Sequence, residues 1–184
     1  MSKQLVLDKI ALQIQNCKIC KIGKSGKAVV GEGNPNSRVV FIGEAPGKNE
    51  ALVGRPFIGR SGKLLRLLII EIGLKEEDVY ITSPVKYLPD KGTPSSSDIA
   101  HGRVHLMKQL EVIKPKIVVL LGRVAAEGVL GKKVFVIKEH GQIVQKIDGV
   151  QYYLTIHPAA AIRFVKFKKI LEKDFKILKR LILK

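Results

Sequence analysis

Ile117-Val118-Val119-Leu120-Leu121 is apolar at every position and is closed by Gly122. A strand with one wetted face alternates apolar and polar residues. A strand with no polar position must be covered on both faces, as in a parallel sheet between layers of helices. Val39-Val40-Phe41-Ile42 repeats the pattern, and Val79-Tyr80-Ile81-Thr82 and Tyr152-Tyr153-Leu154-Thr155-Ile156 read as further strands. Helical segments lie between and around them: Leu5 to Gln15, a run through Leu64 to Ile72 with Ser61 as candidate cap and Gly73 at its end, Asp98 to Ile113 stopped by Pro115, Arg123 to Leu130, and Phe164 to Leu183. Val134–Ile137 and Ile143–Ile147 read as two more β-like runs, with Asp148-Gly149 turning into the last strand. Lys21 to Asn36 and Asp90 to Ser97 read mostly as loop. The expected fold is α/β, with three α/β/α layers around a central, mostly parallel four-stranded sheet. The 184 residues show no internal repeat and no linker, so residues 1–184 are expected to form a single domain.

Charge narrows the partner. The 33 Lys+Arg against 16 Asp+Glu give +17. Such an excess favours polyanions, nucleic acid first and an anionic membrane surface second. The bland alternative is a well-solvated, lysine-rich surface. No run is long and apolar enough to span a bilayer; Arg66 and Glu71 interrupt Leu64–Ile72, the most apolar patch. No secretory signal is read at Met1-Ser2-Lys3-Gln4, and the two cysteines sit together as Cys17-Lys18-Ile19-Cys20. The expectation is an intracellular, cytoplasmic monomer that binds DNA and no membrane.

Two strand ends carry marked residues. Val39–Ile42 runs straight into Gly43-Glu44-Ala45-Pro46-Gly47-Lys48-Asn49-Glu50, with Gly54-Arg55-Pro56-Phe57 close behind. Ile156 is followed by His157-Pro158. In a parallel sheet both ends face one crevice, where α/β folds place their ligands. A carboxylate and a histidine across a crevice can share acid–base or electrostatic work. Each alone has a plainer reading, Glu44 as a solvated turn residue and His157 as a structural histidine.

The stretch from Gly43 to Leu65 resembles the first motif of the uracil-DNA glycosylase superfamily, and is most similar to its family 4 enzymes of archaea and thermophilic bacteria. The resemblance continues through Val79–Thr82 and Lys114–Gly122 and ends at His157-Pro158-Ala159-Ala160-Ala161, similar to the second motif. It implies a glycosylase that flips a damaged nucleotide out of the duplex and breaks the bond between base and sugar. On that resemblance Phe57 stacks on the base, Glu44 positions water and stabilises a cationic sugar, and His157 donates to the uracil O2. Gly43, Ala45, Glu50 and Ser83 would complete the base pocket, with Arg55, Arg60, Ala159, Ala160 and Arg163 on the DNA. No lysine is implied as a Schiff-base nucleophile, so lyase activity is not expected.

The chain departs from that pattern in three places. The family holds a [4Fe-4S] cluster on four cysteines; Cys17 and Cys20 match the first pair, while Tyr87 and Gly102 stand where the second belongs. The expectation is an incomplete cluster site, no cofactor and two free thiols, with a zinc site that adds His101 and His105 as the alternative. Ser83 replaces an asparagine that reads the polar edge of uracil. Ala51 stands where an acid is common. Uracil or a related deaminated base is therefore the expected substrate, with a catalytically weakened DNA-binding paralogue as the competing expectation. A small-molecule α/β enzyme would fit the crevice but not the charge.

Overall fold

The computed structural model describes residues 1–183. Its strands are β1 (Lys24–Ser25), β2 (Glu32–Gly33), β3 (Val39–Ile42), β4 (Val79–Thr82), β5 (Leu88–Pro89), β6 (Ile117–Leu121), β7 (Gln142–Ile147) and β8 (Val150–Thr155). Its α-helices are α1 (Lys3–Asn16), α2 (Lys18–Lys21), α3 (Lys48–Val53), α4 (Arg60–Glu71), α5 (Ser96–Ile113), α6 (Arg123–Leu130), α7 (Val136–Glu139), α8 (Pro158–Arg163) and α9 (Val165–Ile182). The main sheet has the order β2-β4-β3-β6-β8-β7. The four expected strands β4, β3, β6 and β8 are all parallel. Two antiparallel strands, β2 and β7, extend the sheet at its edges.

Strand alternation divides the core between two helical layers. Val40, Ile42, Val118 and Leu120 point to one face and bury with Leu7, Ile10 and Ile14 of α1 and Leu106, Leu110 and Ile113 of α5. Val39, Phe41, Val119 and Leu121 point to the other, against Leu65, Leu68 and Ile69 of α4 and Leu171, Phe175 and Leu178 of α9. The Phe41 and Phe175 rings stack with centroids 6.0 Å apart. Each fully buried aliphatic or aromatic side chain of this kind contributes about 1.5–3 kcal/mol. No helix among the described residues is long and apolar enough to cross a membrane.

Several local readings are corrected. Ser61 does not cap α4: the cap is Gly59, and the Glu50 carboxylate of α3 accepts from its N–H instead. The α5 helix starts before Asp98, at a capping box in which Ser95 Oγ accepts from the Asp98 N–H and Asp98 Oδ2 accepts from the Ser95 N–H. Val134–Ile137 is not a strand but leads into α7. Glu139 Oε2 accepts from the Phe135 N–H and closes a helical turn. The expected last helix is α9, and a short helix that the sequence did not suggest, α8, precedes it, with Phe164 extended between the two.

Candidate active site

Because β3, β6 and β8 are parallel, the loops that leave their carboxyl ends lie along one edge. They bound a cleft of about 660 Å³ lined by Glu44, Glu50, Phe57, Ser83, Arg123 and His157. Ala45 at the loop turn and Ala159, Ala160 and Arg163 on α8 line it too. Gly43 sits beneath this group. Its α-hydrogen side is covered by the Phe57 ring, and a Cβ there would lie 2.5 Å from two ring carbons. Phe57 itself has φ 51°, left-handed backbone in a bulky residue. Such strain persists only where surrounding structure enforces it, and it clusters at functional sites. Its ring lies 6.0 Å from that of His157.

His157 caps α8. Its Nδ1 accepts from the Ala159 N–H at 3.1 Å. A backbone N–H can only donate, so Nδ1 carries no proton and the neutral ring holds its hydrogen on Nε2. Burial pushes the imidazole down to about 4, so it is neutral at physiological pH. The result is a neutral N–H donor on a half-buried ring, next to Phe57.

Glu44 is half-buried, and desolvation raises its carboxyl above the ordinary range while the Arg123 charge opposes the shift. Arg123 opens α6 directly after β6, and also pairs with Glu127 at 2.7 Å. Sequence reasoning missed it, although it follows the clearest strand by the same logic that singled out Glu44 and His157. Glu50 is 8% exposed, and its Oε1 accepts from the N–H groups of Ile58 at 2.9 Å and Gly59 at 2.7 Å. It lines the cleft, but its carboxylate also ties down the segment that carries Phe57. Ser83 is buried, and its hydroxyl donates to the Val85 carbonyl at 2.8 Å. Only oxygen lone pairs are left to face the cleft.

Arg55 and Arg60 are not part of the cleft wall. Arg55 is held by Glu32 in a forked pair at 2.8 and 3.0 Å, and Arg60 is exposed at the start of α4.

Cys17 and Cys20 do not line the cleft, and α2 packs beside α5. The four-thiolate cluster that the resemblance implies does not fit this site. Tyr87 is buried and donates its hydroxyl to the Gln15 carbonyl at 3.3 Å. At Gly102 a Cβ would run into the Pro84 carbonyl oxygen, with the carbonyl carbon at 2.8 Å. No cysteine side chain could stand there with this backbone.

The family model for the uracil DNA glycosylase superfamily matches residues 30–179. A type-4 uracil-DNA glycosylase of Saccharolobus solfataricus is 40% identical over 183 residues, covering 94% of this chain and 85% of its own. One of Sulfurisphaera tokodaii is 38% identical over 189 residues, covering 95% and 84%. One of Archaeoglobus fulgidus is 35% identical over 185 residues, covering 92% and 90%.

Proposed function

The chain belongs to the uracil DNA glycosylase superfamily, and from that premise we propose that it is a monofunctional DNA glycosylase that flips out and hydrolytically removes uracil, or a related deaminated base, in base-excision repair. Residues 1–184 are read as one domain of that kind, acting on DNA inside the cell as a monomer. The observation that carries the reading is the convergence of Glu44, Phe57 and His157 in one cleft at the parallel strand ends.

Phe57 offers the flipped base an aromatic face in a fixed position. As the bond between the base nitrogen and the sugar C1′ breaks, its electron pair leaves with the base, and the sugar becomes a cation resembling an oxocarbenium ion. Negative charge gathers on the base oxygen, and the His157 Nε2–H is the donor suited to it. Being neutral already, the ring stabilises that charge without first taking up a proton. Glu44 in its ionised form stabilises the cationic sugar and aligns the water that adds to C1′. One proton of that water ends on solvent. Glu50 positions the Phe57 segment. Ser83 Oγ, with its hydrogen committed to Val85, accepts from an N–H on the base edge but donates nothing to a base carbonyl. The +17 charge attracts the phosphate backbone, with Arg163, Ala159 and Ala160 at the mouth of the cleft and Arg55 and Arg60 on the flanking surface.

The competing reading, a DNA-binding paralogue without catalysis, is favoured by Ser83 alone, since a one-sided acceptor reads uracil less fully than an amide. An assay of free base release from oligonucleotides that carry uracil, hypoxanthine or xanthine separates the two. Release of any of them supports the glycosylase. Salt-sensitive binding with no release at enzyme excess would support the paralogue.

A further inference from the structure

Cys17, Cys20, His101 and His105 have no part in the cleft, yet they meet. One ligand atom from each lies within 4.8 Å of the other three. The spacing is Cys-x2-Cys followed by His-x3-His, within the range of structural zinc sites. The fold explains why they meet. Cys17 ends α1 and caps α2, and its Sγ accepts from the Cys20 N–H at 3.4 Å, the turn that points two sulfurs the same way. His101 and His105 are one helical turn apart on α5, so their rings share a face, with centroids 5.7 Å apart. His101 Nε2 is 3.2 Å from Cys17 Sγ. His105 is only 7% exposed and its Nδ1 has no partner among the described residues.

We propose that these four residues bind a single zinc(II) ion in tetrahedral S2N2 coordination, at the place where the four-thiolate cluster does not fit. With metal–sulfur bonds of about 2.3 Å and metal–nitrogen bonds of about 2.0 Å, the edges of such a tetrahedron are about 3.5 Å. The Cys17–His101 separation is already close to that value, and the others need only a small contraction. His105, which has no hydrogen-bond partner at Nδ1 among the described residues, would supply one of its ring nitrogens to the ion. Two thiols lose their protons to solvent as the ion binds, so the ion and its two thiolates carry no net charge. A cavity of about 160 Å³ borders Cys20 and His101 and offers the ion a route in.

A two-iron cluster on two cysteines and two histidines puts the sulfurs on one iron and the imidazoles on the other. Here Cys17 and His101 are in contact, which assigns a cysteine and a histidine to the same ion. The ion would clamp α1 and α2 to α5.

Full-length, reduced, metal-free protein titrated with cobalt(II) tests this. The expected result is saturation at one ion per chain, with the d–d bands of tetrahedral cobalt and thiolate-to-cobalt charge transfer. Zinc should displace the cobalt, bleach the bands and raise the thermal midpoint. Cys17→Ser and His101→Gln, both at half-buried positions, should each weaken binding and shift the bands; the far-ultraviolet circular dichroism spectrum checks that they fold. No uptake of either ion by the reduced chain would overturn the site. So would iron with acid-labile sulfide in the protein as isolated, or spectra that both variants leave unchanged.

Discussion

The ring of Phe57 occupies the space into which a side chain on Gly43 would project. The first residue after β3 must therefore be glycine for the proposed stacking residue to sit over the strand end. Sequence motif and geometry meet here: a glycine whose own backbone is unexceptional is needed because of its neighbour.

Gly43→Ala should push the Phe57 ring out of register. A misplacement of about 1 Å at a reacting centre can cost about 100-fold, and a fall of that order is expected in single-turnover base release. Overpacking adds about 1–3 kcal/mol of destabilisation, which urea unfolding would read separately. Full activity in the variant would show that Phe57 is free to move without consequence.

His157→Ala removes the proposed donor and should lower kcat about 10²–10³-fold. The pH profile is the sharper readout. An imidazole held down to about 4 stays neutral through the ordinary histidine range, so wild-type activity should show no loss from this ring near pH 6.5. Stability follows the opposite logic from a salt-bridged histidine. Between about 6.5 and about 4 the unfolded chain binds a proton that folded His157 refuses, so its contribution to stability falls as pH drops through that window. His157→Gln should flatten that part of the stability curve.

Arg123 is the charge that holds the Glu44 carboxyl back from a larger upward shift. Ionised Glu44 is the active form in the proposed chemistry, so activity should rise with pH through a limb above the usual carboxylate value. Arg123→Met should move that limb to higher pH, and Glu44→Gln should abolish it. A limb that Arg123→Met leaves in place would separate the two residues.

Glu50→Ala strands the N–H groups of Ile58 and Gly59. Each stranded donor costs about 1–3 kcal/mol, which a denaturant midpoint would register. Glu50→Gln keeps an amide oxygen to accept both and should retain most of the stability and activity. Equal damage from both variants would mean that the negative charge, not the tie to the loop, is what matters.

The parallel strands were legible because β3 and β6 are apolar throughout and β4 and β8 carry runs of β-branched and aromatic residues, and so were the strand-end residues Glu44 and His157. The edge strand β2 has two residues and no pattern to read. The Val134–Ile137 run misled because four apolar residues fit a strand or a turn of helix equally, and the Glu139 carboxylate decides between them. Roles set by contact were hidden. Nothing in the sequence shows that the Glu50 carboxylate holds the start of α4, that the Ser83 hydroxyl turns to Val85, or that Arg123 faces Glu44. His101 and His105 were in view, but only the approach of α2 to α5 brings them to the cysteines.

The most direct test is free uracil release from a duplex with a single uracil, under single-turnover conditions with protein in excess. Wild type should release free uracil and leave an unbroken strand that alkali cleaves at the abasic site, and Glu44→Gln and His157→Ala should release it far more slowly while binding the duplex as tightly. No release by wild type, or equal release by both variants, would contradict the account.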